Sequence, residues 1–288
     1  ITSFALTEKG EKLSNKLRDQ RIFLRKSWNE AEDRNGFVKN LADISSFYSI
    51  WNSNDNLLIE VSDLDAATAL QFLVSSNHTI SIPLLSRFYE DPERREDFFG
   101  AIKAVAAFFA LWRSVRGGTA GIDNCYRLLM KQGEERPRHR GEDGGEEVLN
   151  SIPPFSREGK GVDLKDLKNA FRHYLYKGSN DVIEIHSKGP WVGKLKRFDV
   201  YSNKNIAKFL LIVGLNQVTN LEGEIGHVQK AREGLHRTLD KGFDYDFFES
   251  IEHISPQNGN WASVTEERVH TLGNLTLLPI KNNSSIGN

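Results

Sequence analysis

The sequence predicts a mainly α-helical protein with a small β element near the C-terminal end of the chain. Apolar residues recur at helical spacing through most of the chain, which is typical of helices packed around a core. Near the C-terminus, short runs of aromatic and β-branched residues end at prolines, as strands that run into loops do. We therefore expect a helical domain, followed by further helices that lead into a small finger of two strands and a helix.

The first half of the chain predicts several helices in order. Residues 6–51 carry apolar positions at helical spacing, and Ser62 with Asp65 three positions on resembles a helix start. Residues 93–115 predict a helix so apolar that it must lie in a core, and a short helix follows at about residues 123–131.

The charged, glycine-rich stretch after these helices contains few residues that could be buried. It predicts a helical scaffold domain over residues 1–132, a linker or mobile loop over residues 133–160, and a C-terminal domain over residues 161–288.

The C-terminal domain opens with two amphipathic stretches, residues 162–177 and 204–217, which predict helices. Residues 182–185 between them could form a short strand. The finger follows at about residues 246–288, with strands predicted over 247–254 and 272–278 and a helix that starts in the polar run after Pro279.

Composition limits the function classes. The 288 residues suffice for two domains, and a net charge of −1 means that DNA contacts would have to come from local basic patches. A single cysteine, Cys125, excludes an intramolecular disulfide and a cysteine zinc site, which fits a reducing, cytoplasmic location. The longest apolar run, residues 104–112, is far shorter than the roughly 20 residues that cross a bilayer, so we expect no membrane segment.

The finger contains the residues best suited to chemistry. Glu252 and His253 are adjacent, Asn274 follows inside the run Leu-Gly-Asn-Leu-Thr-Leu-Leu, and Asn283 comes nine positions later. The pattern of His253, Asn274 and Asn283 resembles the His-Asn-Asn signature of HNH nucleases with the ββα-metal fold. The residues around this signature, with Trp261 between the two predicted strands and the run Leu-Gly-Asn-Leu-Thr-Leu-Leu, resemble the nuclease domain of GmrSD-type restriction proteins. That family includes type IV enzymes that attack modified phage DNA and the phosphorothioate-sensing SspE proteins.

The resemblance implies roles that are physically reasonable. His253 can accept a proton from water at neutral pH, and Asn274, which cannot titrate, would hold the loop that aims it. Glu252 supplies a carboxylate oxygen and Asn283 an amide oxygen, which together suit Mg²⁺ or Mn²⁺. Adjacent residues on a regular strand face opposite sides, however, which is a geometric objection to Glu252.

The function implied is a divalent-metal-dependent DNA endonuclease or nickase. It would be the C-terminal part of a modification-sensing restriction or antiphage protein that acts on double-stranded phage or modified DNA, with an NTPase domain expected upstream. The chain starts at Ile1 and ends at Asn288, soon after the last motif residue. We therefore expect a fragment with an incomplete finger, which could be inactive even if the parent protein cuts DNA.

Basic residues interleaved with aromatics precede the finger and could bind the DNA backbone, although a solvated face over a core would have the same pattern. The candidates for DNA binding are Lys188, Lys194, Lys196, Arg197 and Lys204. His270 is a competitor of His253 for a metal or base role, but we expect it to face solvent.

Two other function classes remain open from the sequence. One is a non-catalytic, helical DNA-binding or regulatory module that retains the finger for structure. The other is a protein-interaction scaffold, for which the helical N-terminal half is suitable.

Overall fold

The computed structural model describes residues 1–53, 62–89, 95–131, 138–140, 146–148, 163–177, 183–185, 187–222, 228–232, 236–255 and 265–279. These residues are mostly helical, and a small β-hairpin lies near the C-terminal end. The predicted fold class, mainly α with a small C-terminal β element, is therefore confirmed. No helix within these ranges combines the length and the apolar character needed to cross a membrane.

The described residues form ten α-helices. Their bounds are α1 Thr2–Lys9, α2 Leu17–Glu30, α3 Arg34–Asn52, α4 Leu64–Ser75, α5 Ile82–Tyr89, α6 Arg95–Arg113, α7 Ile122–Met130, α8 Leu164–Lys177, α9 Lys188–Leu195 and α10 Lys204–Leu215.

The strands form three antiparallel pairs. These are β1 Arg138–Arg140 with β2 Glu146–Val148, β3 Val218–Asn220 with β4 Val228–Lys230, and β5 Ser250–His253 with β6 Leu275–Leu278. The pair β1 and β2 lies inside the stretch that the sequence predicts to be a linker. The other residues of that linker, and the predicted helix start after Pro279, lie outside the described residues.

The chain divides into two compact units, each made of three separate stretches. The first comprises Ile1–Glu60, His78–Val105 and Thr119–His186, and the second comprises Val61–Asn77, Ala106–Gly118 and Ser187–Asn288. The predicted domain boundaries at 132 and 161 remain a prediction.

The core of the first unit is aromatic. Phe4 of α1 meets Phe37 of α3 edge to face, with ring centroids 5.2 Å apart. The buried Arg87 of α5 donates from Nε to the Thr7 carbonyl at 2.5 Å and from a terminal nitrogen to the Met130 carbonyl at 3.0 Å. It thereby satisfies carbonyls in the last turns of α1 and α7, which have no partner within their own helices.

The core of the second unit supports the C-terminal hairpin. Phe72 of α4 stacks on Phe209 of α10, with ring centroids 4.0 Å apart and an interplanar angle of 8°. Phe243 lies 5.7 Å from Phe72, and the chain before it is tied to α4 by a 2.7 Å hydrogen bond from Thr68 Oγ1 to the Leu239 carbonyl. Because α10 also packs against β5 and β6, the hairpin rests on this core.

The start of α4 and residues 183–185 differ from the sequence predictions. The N-cap of α4 is Asp63 rather than Ser62, since the Asp63 carboxylate accepts from the Ala66 N–H at 3.0 Å. Residues 183–185 are not a strand. Instead, the Ile183 and Ile185 N–H groups bond to carbonyls at the end of α8, at 2.9 and 2.8 Å, and both side chains are buried.

Candidate functional site

The C-terminal hairpin places its residues by a fixed register. Ile251 is opposite Leu277, Glu252 is opposite Thr276, and His253, the last residue of β5, is opposite Leu275. Ile251, Leu275 and Leu277 are buried, which is the alternation expected of a strand with one face on a core. The second predicted strand begins later than expected, because Leu272–Asn274 form a single 3₁₀ turn before β6.

Asn274 lies in that turn and is buried, with 6% of its surface exposed. Its Oδ1 accepts from the Ser255 N–H at 2.9 Å, and its Nδ2 donates to the Ser255 carbonyl at 3.2 Å and to the Val269 carbonyl at 2.9 Å. The Asn274 carbonyl also accepts from the Ile254 N–H at 2.9 Å. Through its amide and its backbone carbonyl, Asn274 therefore ties the two residues after His253 to the segment that precedes β6.

His253 is half-buried and lies in a cluster of three rings. Its Nε2 is 3.1 Å from Nδ1 of His270, and the Tyr201 ring centroid is 4.4 Å from its own. Tyr201 and His270 are nearly parallel, at 16° with centroids 5.5 Å apart. The expectation that His270 faces solvent is therefore wrong, because its side chain is half-buried and contacts both of these rings.

The backbone fixes the same cluster. The His270 carbonyl accepts from the Val200 N–H at 3.1 Å and from the Tyr201 N–H at 3.3 Å. The link between α9 and α10 is thus bonded directly to the segment before β6. The ammonium of Lys204 lies 5.3 Å from the Tyr201 ring centroid, within the range of a cation–π contact.

The surroundings of His253 lower its pKa below the ordinary value of 6.5. Burial is the largest cause, since it penalises the charged imidazolium, and the neighbouring His270 acts in the same direction. The carboxylates of Glu252 and Asp199 oppose the shift by favouring the charged form. The imidazole is therefore mainly neutral at pH 7 and able to accept a proton.

Glu252 and His253 lie on opposite faces of the hairpin. Directly paired residues in antiparallel strands share a face, so His253 shares its face with Leu275, while Glu252 shares the other with Thr276. Glu252 is half-buried. The geometric objection to Glu252 as a partner of His253 in one site therefore applies to the observed hairpin. His253 is, however, at the end of its strand, where the chain turns away.

The structure describes only some of the other predicted site residues. Asn283 and Trp261 lie outside the described residues. Where the structure describes the chain, no group of three or more histidine, cysteine, aspartate or glutamate side chains could hold a metal ion. The predicted DNA-binding residues are all exposed, on α9, immediately after it, or at the start of α10: Lys188, Lys194, Lys196, Arg197 and Lys204.

Comparison with known proteins gives the class of this segment. Residues 196–288 match the family model described as GmrSD restriction endonucleases, C-terminal domain. This part of the chain is therefore related to restriction endonucleases, and the resemblance to GmrSD-type restriction proteins is confirmed over it. No curated protein matches the chain.

Proposed function

We propose that the second unit is the HNH-type catalytic part of a DNA endonuclease or nickase that depends on a divalent metal. The observation that carries the proposal is the half-buried His253 at the end of β5, held next to His270, in a segment that matches a restriction endonuclease domain. The imidazole has the chemistry that water activation needs, and its hairpin rests on a packed core.

In this function His253 acts as the general base. It takes a proton from a water molecule, whose oxygen attacks the phosphorus of a DNA phosphodiester while the bond to the leaving oxygen breaks. The lowered pKa of His253 supports this role because it keeps the imidazole neutral at pH 7. Asn274 acts as a positioning residue, since its three side-chain hydrogen bonds fix the chain on both sides of the hairpin end.

The donor set suits Mg²⁺ or Mn²⁺ rather than a softer metal. Glu252 offers a carboxylate oxygen next to His253 in sequence, and Asn283 would add an amide oxygen. A divalent metal bound there would neutralise charge on the phosphate and leaving oxygens. Because Mg²⁺ keeps several waters and binds through one or two protein carboxylates plus phosphate oxygens, a site with so few protein ligands is compatible with it.

The exposed basic residues of α9 and α10 support DNA as the substrate. Since the net charge of the chain is −1, affinity for the phosphate backbone has to come from a local patch of this kind. Lys204 also contacts Tyr201, so the patch reaches the cluster around His253. We propose double-stranded phage or modified DNA as the natural target, phosphorothioate DNA included, and an upstream NTPase domain in the parent protein.

One observation favours the alternative, a DNA-binding module that does not cleave. Within the described residues, Glu252 and His253 lie on opposite faces of the hairpin, so they do not form a ready-made site. This alternative predicts duplex binding without any cleavage that responds to metal.

Nicking of supercoiled plasmid tests the proposal. Wild type, His253→Asn and His236→Asn are compared in Mg²⁺, in Mn²⁺ and in a chelator. His236 is the matched control because it is exposed, and asparagine tolerates its positive φ of 55°. We expect metal-dependent nicking that His253→Asn lowers by at least about 100-fold and His236→Asn leaves unchanged. Cleavage by His253→Asn at the wild-type rate would rule out His253 as the base.

A further inference from the structure

We infer that His270 is a positioning residue that accepts a hydrogen bond from His253 Nε2 and so leaves Nδ1 of His253 as the nitrogen that takes the proton from water. The inference rests on the proposed function, because it assigns the reacting atom of the proposed base. It also gives Tyr201 the role of holding the two imidazoles in place.

One hydrogen bond joins the two imidazole rings. His253 Nε2 and His270 Nδ1 are 3.1 Å apart, so one nitrogen carries the proton and the other supplies the lone pair. If His253 donates, its proton is on Nε2 and its lone pair is on Nδ1. If His270 donates, a neutral His253 carries its proton on Nδ1, and its only ring lone pair, on Nε2, accepts the bond from His270.

Only the first arrangement lets a neutral His253 act as a base while the bond to His270 persists. A proton from water then adds to Nδ1, and the Nε2–H remains bonded to His270. The imidazolium that forms keeps its acceptor, which stabilises its charge, because a hydrogen bond to a charged donor is stronger than a neutral one. No proton has to leave the pair during the step.

His270 is held through both its backbone and its ring. Its carbonyl accepts from two consecutive backbone N–H groups, those of Val200 and Tyr201, at 3.1 and 3.3 Å. Its ring lies nearly parallel to that of Tyr201, and the Tyr201 ring also contacts His253, at a centroid distance of 4.4 Å. The position of the His270 ring is therefore set by contacts on both its backbone and its side chain, as a positioning role requires.

The test determines which ring nitrogen of His253 carries the proton. Two-bond ¹H–¹⁵N correlation spectra of the ¹⁵N-histidine-labelled chain distinguish a protonated ring nitrogen from one with a lone pair. Wild type is compared with His270→Asn, whose amide oxygen can accept near the position of Nδ1, and with His270→Ala, which has no acceptor there. The expected spectra show His253 protonated on Nε2 in wild type and in His270→Asn, and a mixture of tautomers in His270→Ala.

The plasmid-nicking rate is measured for the same variants. We expect His270→Ala to lower kcat roughly tenfold or more with little change in KM, and His270→Asn to restore part of the loss. Tyr201→Leu, which removes the aromatic ring, should resemble His270→Ala in both measurements, and His236→Asn, at an exposed histidine outside the ring cluster, should behave like wild type.

Two results would overturn the inference. One is wild-type His253 protonated on Nδ1, and the other is an unchanged tautomer and kcat in a folded His270→Ala protein. If cleavage still depends on His253 in either case, the proposed function stands without this inference. If His253 has the expected tautomer but its replacement leaves cleavage unchanged, the proposed function and the catalytic part of the inference are both wrong. The assignment of His253 Nε2 as the hydrogen-bond donor to His270 would still stand.

Discussion

Asn274 and Ser255 are joined by a reciprocal pair of hydrogen bonds. Asn274 Oδ1 accepts from the Ser255 N–H at 2.9 Å, and Asn274 Nδ2 donates to the Ser255 carbonyl at 3.2 Å. The same Nδ2 also donates to the Val269 carbonyl at 2.9 Å. An amide is the only common side chain of this size that accepts and donates at once, so neither a carboxylate nor an alkyl group can replace it.

Replacement of Asn274 should therefore destabilise the protein. We expect Asn274→Ala to lower the free energy of unfolding by about 2–4 kcal/mol, because it leaves buried backbone groups without partners. Asn274→Asp should cost at least as much, since a carboxylate can accept from Ser255 but repels the two carbonyls. Urea unfolding followed by circular dichroism measures both changes.

Asn220→Ala is the control for Asn274, because Asn220 is exposed on β3 and its replacement should stay within about 0.5 kcal/mol of wild type. An Asn274→Asp protein as stable as wild type would show that the two donated bonds contribute nothing.

The stacked pair Phe72 and Phe209 leads to a second prediction. Both rings are buried, and their centroids lie 4.0 Å apart. Phe209→Ala should lower the free energy of unfolding by about 3–5 kcal/mol, because it removes apolar burial and leaves a cavity beneath the hairpin. Val213→Ala, on the exposed side of α10, should change it by less than about 0.5 kcal/mol. Equal losses from the two variants would contradict this account of the core.

The basic residues of α9 and α10 lead to a third prediction, on DNA binding. Replacement of Lys188, Lys196 and Arg197 by glutamine should weaken duplex binding. It should also reduce the slope of log K against log salt by up to roughly 3, because fewer counterions are released. Fluorescence anisotropy at several salt concentrations measures the slope.

A matched set of two lysines and an arginine from the first unit serves as the control: Lys12, Lys16 and Arg18, all of which are exposed. If replacing these three changed the slope as much as replacing the residues of α9, DNA binding would depend on total charge rather than on the proposed patch.

The sequence predicts what depends on local patterns. Helical spacing of apolar residues identifies α6, α8 and α10 and their buried faces, and Pro279 limits the last strand. The predicted N-cap of α4 is wrong by one residue because Ser62 and Asp63 are both good caps. Only the backbone geometry decides which of them accepts from the first turn.

The arrangement around His253 could not be predicted in the same way. His270 is 17 residues from His253, and no periodic pattern in the sequence between them links the two. Tyr201 is further away still, and in the sequence it looks like one aromatic residue among several near the lysines. These contacts depend on how the link between α9 and α10 bonds to the hairpin, which is tertiary information.

The last prediction concerns alkaline pH and the first unit. Tyr126 is fully buried, and its hydroxyl is 2.8 Å from Nε2 of the buried His78. Burial raises the pKa of Tyr126 well above its ordinary value of 10.0, and the nearby Cys125 adds to the shift. Above pH 10.0 the unfolded chain loses this proton while the folded protein keeps it, so stability falls as pH rises towards the folded pKa. Tyr126→Phe removes this loss.

The Tyr126→Phe protein should be about 1 kcal/mol less stable than wild type at neutral pH, because the bond to His78 is gone. Above pH 10.0 it should gain on wild type by up to about 1.4 kcal/mol per pH unit. Urea unfolding across this pH range measures the difference. Tyr48→Phe, at an exposed tyrosine, should follow the wild-type pH dependence. If Tyr126→Phe lost stability above pH 10.0 as steeply as wild type, the buried hydroxyl would not be the group responsible.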